Sequence, residues 1–245
     1  MGAHVGTREP LRIVAVSAGL SKPSSTRLLA DRLAESATSE LTSLDVKAEV
    51  TVVELRDLAV DIANNLVTGF PSPALRAALE AVTGADALIT VTPVFAGSYS
   101  GLFKSFFDLV EPDALRGTPV LLAATGGTAR HSLVVEHAMR PLFSYLRTLT
   151  LPTAVFAATD DWGTGADTYG GGLSARIERA GAELAGVLAG AAAPRAGASG
   201  RMAASGRNAE DSADADVDAD AEADEVVPFE QLLADPTRAS GAINR

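Results

Sequence analysis

Five short apolar runs, rich in β-branched residues, each break off at a loop and are separated by amphipathic stretches. This alternation constrains the fold more than any other feature of the chain. The runs are residues 11–16 (LRIVAV), 46–55, 87–91, 119–123 and 153–157. The second alternates through Val50, Val52 and Leu55, whereas the others are nearly continuous, as strands buried on both faces are. After the first run, Leu29, Leu33, Ala37 and Leu41 recur every fourth residue, with Arg27 and Asp31 paired on an exposed face and Ser24 or Ser25 at the N-cap. Further helices fit residues 74–82, 102–110, 133–146 (bent or divided near Pro141) and 173–188. Strands alternating with helices specify a parallel sheet covered on both faces, a doubly wound α/β domain. Two strand orders are open to such a sheet, and both place ligands at the carboxyl ends of the strands where the winding reverses. In the five-stranded order 2-1-3-4-5 the crevice lies between the loops after strands one and three, SAGLSKPSST (17–26) and TPVFAGSYSG (92–101). Together with ATGGTARH (124–131) these are the most unusual segments of the chain, so topology and composition select the same place.

Composition removes several classes of function. With no Cys the chain has no disulfide framework, thiolate metal site or cysteine nucleophile, and His4, His131 and His137 form no convincing cluster. No metal site is expected. The apolar runs fall short of the roughly 18–20 residues that cross a bilayer. The start MGAHVGTREP lacks the features of a secretory signal, so a cytoplasmic address is expected. A net charge of −11 disfavours nucleic acid, which is held by excess Lys and Arg. That charge is uneven: from Arg195 onward there are 11 acids and 5 arginines, a net of −6, which leaves −5 for residues 1–194. Residues 191–225 are almost entirely Ala, Gly, Ser, Arg, Asp and Glu and read as a disordered linker. The expected organisation is a catalytic body at 1–190, this linker, and a tail at 226–245 in which Val226, Val227, Phe229, Leu232 and Leu233 form a short apolar motif.

The first loop offers Ser17, Ser21, Ser24, Ser25 and Thr26 at a helix start, with Lys22 and Arg27 nearby. Free backbone N–H groups, hydroxyls and the positive helix end make an anion site. Neither GxxxxGK[ST] nor GxGxxG is present, so a monophosphate suits it better than a triphosphate or pyrophosphate. Pro93, Val94, Phe95 and Ala96 offer a rigid apolar wall to a flat heterocycle, and Thr125, Gly126 and Gly127 let the backbone approach closely. No nucleophile with its base and no carboxylate pair stands in these loops, and no catalytic residue is assigned. Hydride transfer needs none, since the cofactor carries the chemistry.

TPVFAGSYSGLFKSFFDLV, followed by ATGGTARHSLVVEHAMRPLFSYL, resembles the NAD(P)H-dependent FMN reductase family of flavodoxin-like fold, over about residues 10–190. More narrowly it resembles the two-component flavin reductases partnered with luciferase-like monooxygenases. The resemblance implies hydride transfer from C4 of NADPH or NADH to N5 of FMN, by a ping-pong or sequential route, the reduced flavin leaving for a monooxygenase. By that resemblance Ser17, Ser24, Ser25 and Thr26 bind the FMN phosphate. Pro93, Val94, Phe95 and Ala96 line the isoalloxazine, while Thr125, Gly126 and Gly127 meet its pyrimidine side or ribityl chain. The family's first loop has an Arg after Gly-Ser; here SAGLS leaves the phosphate's cation open between Lys22, Arg27 and none. Tyr99 stands where some members carry a Tyr that distorts the next helix at a subunit interface, or it is ordinary packing. His131 is read as a capping or flavin-edge donor. Asp160, Asp161 and Trp162 form a turn or approach a neighbouring subunit's nicotinamide site. A homodimer or tetramer is implied. Two alternatives remain: a quinone or azo reductase with tightly held FMN, and a non-enzymatic flavin-binding module acting through its tail.

Overall fold

The computed structural model describes residues 9–162 and 172–192. Four parallel strands, β1 (Leu11–Ser17), β2 (Ala48–Glu54), β3 (Ala87–Phe95) and β5 (Pro119–Gly126), lie in the order β2-β1-β3-β5, with Ile13 opposite both Val50 and Ala87. The fifth position of the expected 2-1-3-4-5 order is filled by two short strands. β6 (Leu149–Thr150) pairs with Pro119 and Val120, and β7 (Val155–Ala158) pairs with residues 123–126. Pro152 lies between them and cannot donate to the ladder, which keeps them separate; β7 is the strand that the sequence places at 153–157, and β6 precedes it.

Alternation along the strands sorts side chains to the two faces. Ile13, Ala15, Ile89, Leu121 and Ala123 pack under α1 (Ser25–Ser43) and α6 (Gly172–Ala192). Val14, Val16, Leu88, Val120 and Leu122 pack under α3 (Pro73–Thr83), α4 (Gly101–Phe107) and α5 (Arg140–Tyr145). On that second face Phe103, Phe107 and Phe143 are fully buried, with the Phe103–Phe107 and Phe107–Phe143 ring centroids 4.8 and 4.9 Å apart. α6 runs to Ala192, two residues past the expected boundary at 190. The linker from 193 and the apolar motif of the tail lie outside the described residues.

Three local departures from the expected elements have physical causes. Residues 55–58 form a 3-10 turn leading into α2 (Ala59–Thr68), a helix absent from the sequence reading although Ala59, Ile62, Ala63 and Leu66 recur at helical spacing; of its residues Ile62 and Asn65 are buried. β3 extends to Phe95 and turns back through Ala96 (φ 49) and Gly97 (φ 78) into β4 (Ser98–Tyr99), so part of the expected loop is a two-residue hairpin. The bend expected near Pro141 is a widened turn at Val135–Met139, in which Arg140 N–H reaches back five residues to the Val135 carbonyl. A wider turn there relieves the clash that a proline ring makes with the carbonyl four residues earlier.

Candidate functional site

The carboxyl ends of β1, β3, β5 and β7 open into a cavity of about 490 Å³ lined by Leu20, Ser21, Ser25, Thr26, Pro93, Val94, Phe95, Thr125, Gly126, Gly127, Thr159 and Trp162. Its volume lies within the roughly 300–1,000 Å³ of ligand pockets. The order of the sheet puts it there, since the crossover reverses between β1 and β3.

Each wall has a local origin. β1 ends at Ser17, and Ala18 N–H donates to the Val91 carbonyl at 2.9 Å, locking the start of the first loop to β3. Ser24 caps α1, its Oγ accepting from Arg27 N–H at 3.2 Å. Gly19 permits this fold-back, because a Cβ there would fall 2.0 Å from Ser24 Oγ. Thr26 and Thr125, 3% and 5% exposed, share a hydrogen bond with their hydroxyl oxygens 2.8 Å apart, which staples the first loop to the end of β5. A Cβ on Gly126 would meet Phe156 Cζ at 2.7 Å, so packing against β7 requires that glycine, whereas a Cβ on Gly127 would meet nothing within 4 Å.

Eight of the eleven site residues expected from the sequence line this cavity: Ser25, Thr26, Pro93, Val94, Phe95, Thr125, Gly126 and Gly127. Ser24 is off the wall, its oxygen engaged in the cap. Ala96 sits at the hairpin corner. Ser17 is buried at the head of the first loop, and among the described residues its Oγ has no hydrogen-bond partner. Leu20 and Thr159 are wall residues the sequence reading did not single out. Leu20 is an apolar residue in a polar loop, 50% exposed, and Thr159 is the first residue past β7.

The two cations near the first loop, Lys22 and Arg27, stand in different surroundings. Arg27 is paired to Asp31 (Nε to Oδ1, 2.8 Å) and to Glu54 (Nη1 to Oε1, 2.5 Å). Its hydrogen bond to Asp31, with the charge of Glu54 adding, raises its pKa above the ordinary value against a lowering by burial. An arginine held by two carboxylates has little charge left for a phosphate, whereas Lys22 is exposed and makes no ion pair among the described residues. His131 is exposed on the 3-10 turn Ala129–His131 and is not part of the wall. Tyr99 pairs across the hairpin with Val94 and packs 5.9 Å from the Phe103 ring, and the α4 that follows is regular; the widened turn lies in another helix. Asp160, Asp161 and Trp162 belong to a 3-10 turn. Asp161 Oδ2 accepts from Ala158 N–H at 2.7 Å and its Oδ1 pairs with Arg176 at 3.0 Å, which sets Trp162 on the cavity rim beneath the Arg32 guanidinium, 5.3 Å from the ring centroid.

A 2-1-3-4-5 doubly wound sheet with a hydroxyl-lined cavity at its switch point defines a flavodoxin-like domain. The model of the NADPH-dependent FMN reductases matches residues 11–163. The FMN reductase (NADPH) of Pseudomonas aeruginosa is 42% identical over 153 residues, which are 62% of this chain and 80% of that protein. The NADH-dependent FMN reductase SfnE of Pseudomonas putida is 47% identical over 150 residues, 61% of this chain and 77% of that one. An oxidoreductase from Corynebacterium diphtheriae superimposes with a TM-score of 0.71 at 42% identity, covering 75% of this chain and 99% of its own. The chain belongs to the NADPH-dependent FMN reductase family, and it is an NAD(P)H:FMN oxidoreductase whose cofactors are FMN and NADPH or NADH. Among the described residues no helix is long and apolar enough to cross a membrane, and no group of His, Cys, Asp and Glu could hold a metal ion.

Proposed function

We propose that the cavity at the carboxyl ends of the strands is the flavin site and that this reductase hands reduced FMN to a flavin-dependent, luciferase-like monooxygenase. The observation that carries the site is its lining: hydroxyls, glycines and apolar side chains, none ionisable, converge from the loops after β1, β3, β5 and β7. The residues fit FMN. The buried Ser17 Oγ has no partner among the described residues and stands before the capped start of a 19-residue helix, where a phosphate is favoured by free N–H groups and the helix dipole. FMN, when bound, supplies the hydride acceptor at its N5 for the nicotinamide C4. The chain's own residues bind and orient. Ser21, Ser25 and the α1 N–H groups hold the phosphate. The Thr26–Thr125 pair spends one hydroxyl hydrogen internally and presents the other to the phosphate–ribityl junction, which moves Thr125 away from the pyrimidine edge. Pro93, Val94 and Phe95 back the ring, and Trp162 closes the rim. No side chain on the wall exchanges a proton with the ligand, so protons pass to and from solvent.

Release of the flavin follows from charge. Arg27 is tied to Asp31 and Glu54, so the phosphate meets one lysine, Lys22, and backbone dipoles, which suits a flavin that comes and goes better than one held through purification. The cytoplasm, where NAD(P)H is kept, is the fitting compartment, and the expected assembly is a homodimer or tetramer. Purified protein should be colourless after desalting and should oxidise NADPH or NADH when FMN is added. It should keep that turnover when residues 195–245 are deleted. No turnover with either nucleotide at saturating FMN refutes the reading, and a yellow protein that keeps its flavin would favour a quinone or azo reductase instead.

A further inference from the structure

The loop from Ala18 to Ser24 is fixed at both ends, by the Ala18 bond to Val91 and by the Ser24 cap. Its middle is held differently. Arg56 Nη1 donates to the Ser21 carbonyl at 2.9 Å, and among the described residues no other hydrogen bond reaches residues 19–23 from outside the loop. Arg56 stands on the 3-10 turn after β2, its side chain 19% exposed, and it is itself held: Nη2 to Glu54 Oε2 at 3.1 Å and Nε to Asp57 Oδ1 at 3.4 Å. The other oxygen of Glu54 takes Arg27 of α1. One carboxylate therefore bridges two guanidiniums, one on the helix that starts at the cavity and one gripping the loop that forms its wall. With its charge matched by Glu54 and Asp57 and its fork turned onto a carbonyl, Arg56 acts through the loop, not on a ligand.

We propose that Arg56 is a positioning residue for the phosphate end of the flavin: by pinning the Ser21 carbonyl it keeps the first loop in its binding shape before the ligand arrives. Such preorganisation spares the ligand the entropy of ordering the loop. The inference rests on reading the cavity as the FMN site and predicts a loss confined to the phosphate. Riboflavin, with the same ring and no phosphate, is the matched probe.

Binding can be read by quenching of Trp162, the single tryptophan of the chain, which stands on the cavity rim. Removing one hydrogen bond from a charged donor predicts that Arg56→Met raises the FMN dissociation constant about tenfold. The riboflavin constant and KM for NADPH or NADH should stay within about twofold, well below that charged-bond loss. Arg56→Lys, whose ammonium reaches Glu54 or the Ser21 carbonyl but not both, should show a smaller rise for FMN and none for riboflavin. It carries the test if the Met variant fails to fold, which a thermal melt reports. An unchanged FMN constant, or equal weakening of FMN and riboflavin, overturns the proposal while leaving the flavin site standing. A wild-type protein that binds neither flavin refutes the site itself and the proposal with it.

Discussion

The Thr26–Thr125 pair offers a stability test whose sign pattern is unusual. The two residues are 3% and 5% exposed, their hydroxyl oxygens lie 2.8 Å apart, and they are 99 residues apart in the chain. Replacing either threonine by valine keeps its volume and leaves the partner hydroxyl buried without its bond. An orphaned buried hydroxyl costs about 1–2 kcal/mol, so each single variant should lose that amount. In a domain of this size the loss corresponds to a fall in Tm of about 3–6 °C. The double variant Thr26→Val with Thr125→Val has no orphan, and its cost should fall short of the sum of the singles by about 1 kcal/mol. The assay is urea unfolding of the flavin-free protein, followed by far-UV circular dichroism, for all four members of the cycle. Strict additivity would refute the idea that the two loops are stapled by this bond. On the proposed flavin site, FMN affinity should fall in every variant, because each removes at least one of the two hydroxyls.

Other outcomes follow from packing and charge elsewhere in the domain. Two glycines of α6 should respond in opposite directions to alanine: at Gly186 a Cβ meets nothing, so Gly186→Ala should stabilise by about 0.5–1 kcal/mol, as helix propensity dictates. At Gly181 a Cβ would lie 2.8 Å from Ser36 Cβ and 2.9 Å from the Ala37 nitrogen, so Gly181→Ala should destabilise by about 1–3 kcal/mol; thermal melts of the two variants check the contrast. Glu136 is hydrogen-bonded by Arg140, which holds its pKa below the ordinary glutamate value against a raising by burial. A depressed carboxylate pKa contributes stability that is complete above the unfolded-state value and is lost as pH falls through the folded-state value. The stability gap between wild type and Glu136→Gln should therefore be constant from neutral pH down to about pH 5 and shrink below about pH 4.3, staying under about 1 kcal/mol throughout because the pair is half in solvent. Urea titrations at a series of pH values measure it, and a gap that widens in acid would contradict the assignment.

The inner strands were legible because burial on both faces writes itself as continuous apolar runs, β2 because its apolar residues alternate, and α1 because one face of it is buried from Leu29 to Leu41. The helix α2 was not read, although Ala59, Ile62, Ala63 and Leu66 carry its spacing; its exposed Val60 and Val67 blur the face that Ile62 buries. Nor was β6, which precedes the strand read at 153–157 and whose Leu149 and Thr150 make up only two residues of ladder. At the candidate site, residue type picked out loops that the fold brings to one cavity, but not how each residue stands within them. Ser24 and Ser25 are neighbours of the same chemistry; one is a cap and the other a wall, and that difference is a matter of backbone direction at a helix start. Arg27 shows the same limit more sharply. Its pairing with Asp31 is a four-residue spacing that sequence displays, whereas its second partner, Glu54, comes from another strand and is visible only once β2 lies beside β1.

The cavity wall contains no side chain that gains or loses a proton near neutrality. Its ability to receive a flavin should then be set by the ionisation of the ligand's own phosphate, whose second proton leaves near pH 6 in a phosphomonoester on a side chain. An enzyme built this way has its acid limit written into its substrate: mutating residues around the ring should shift how tightly it works without shifting the pH at which it begins to.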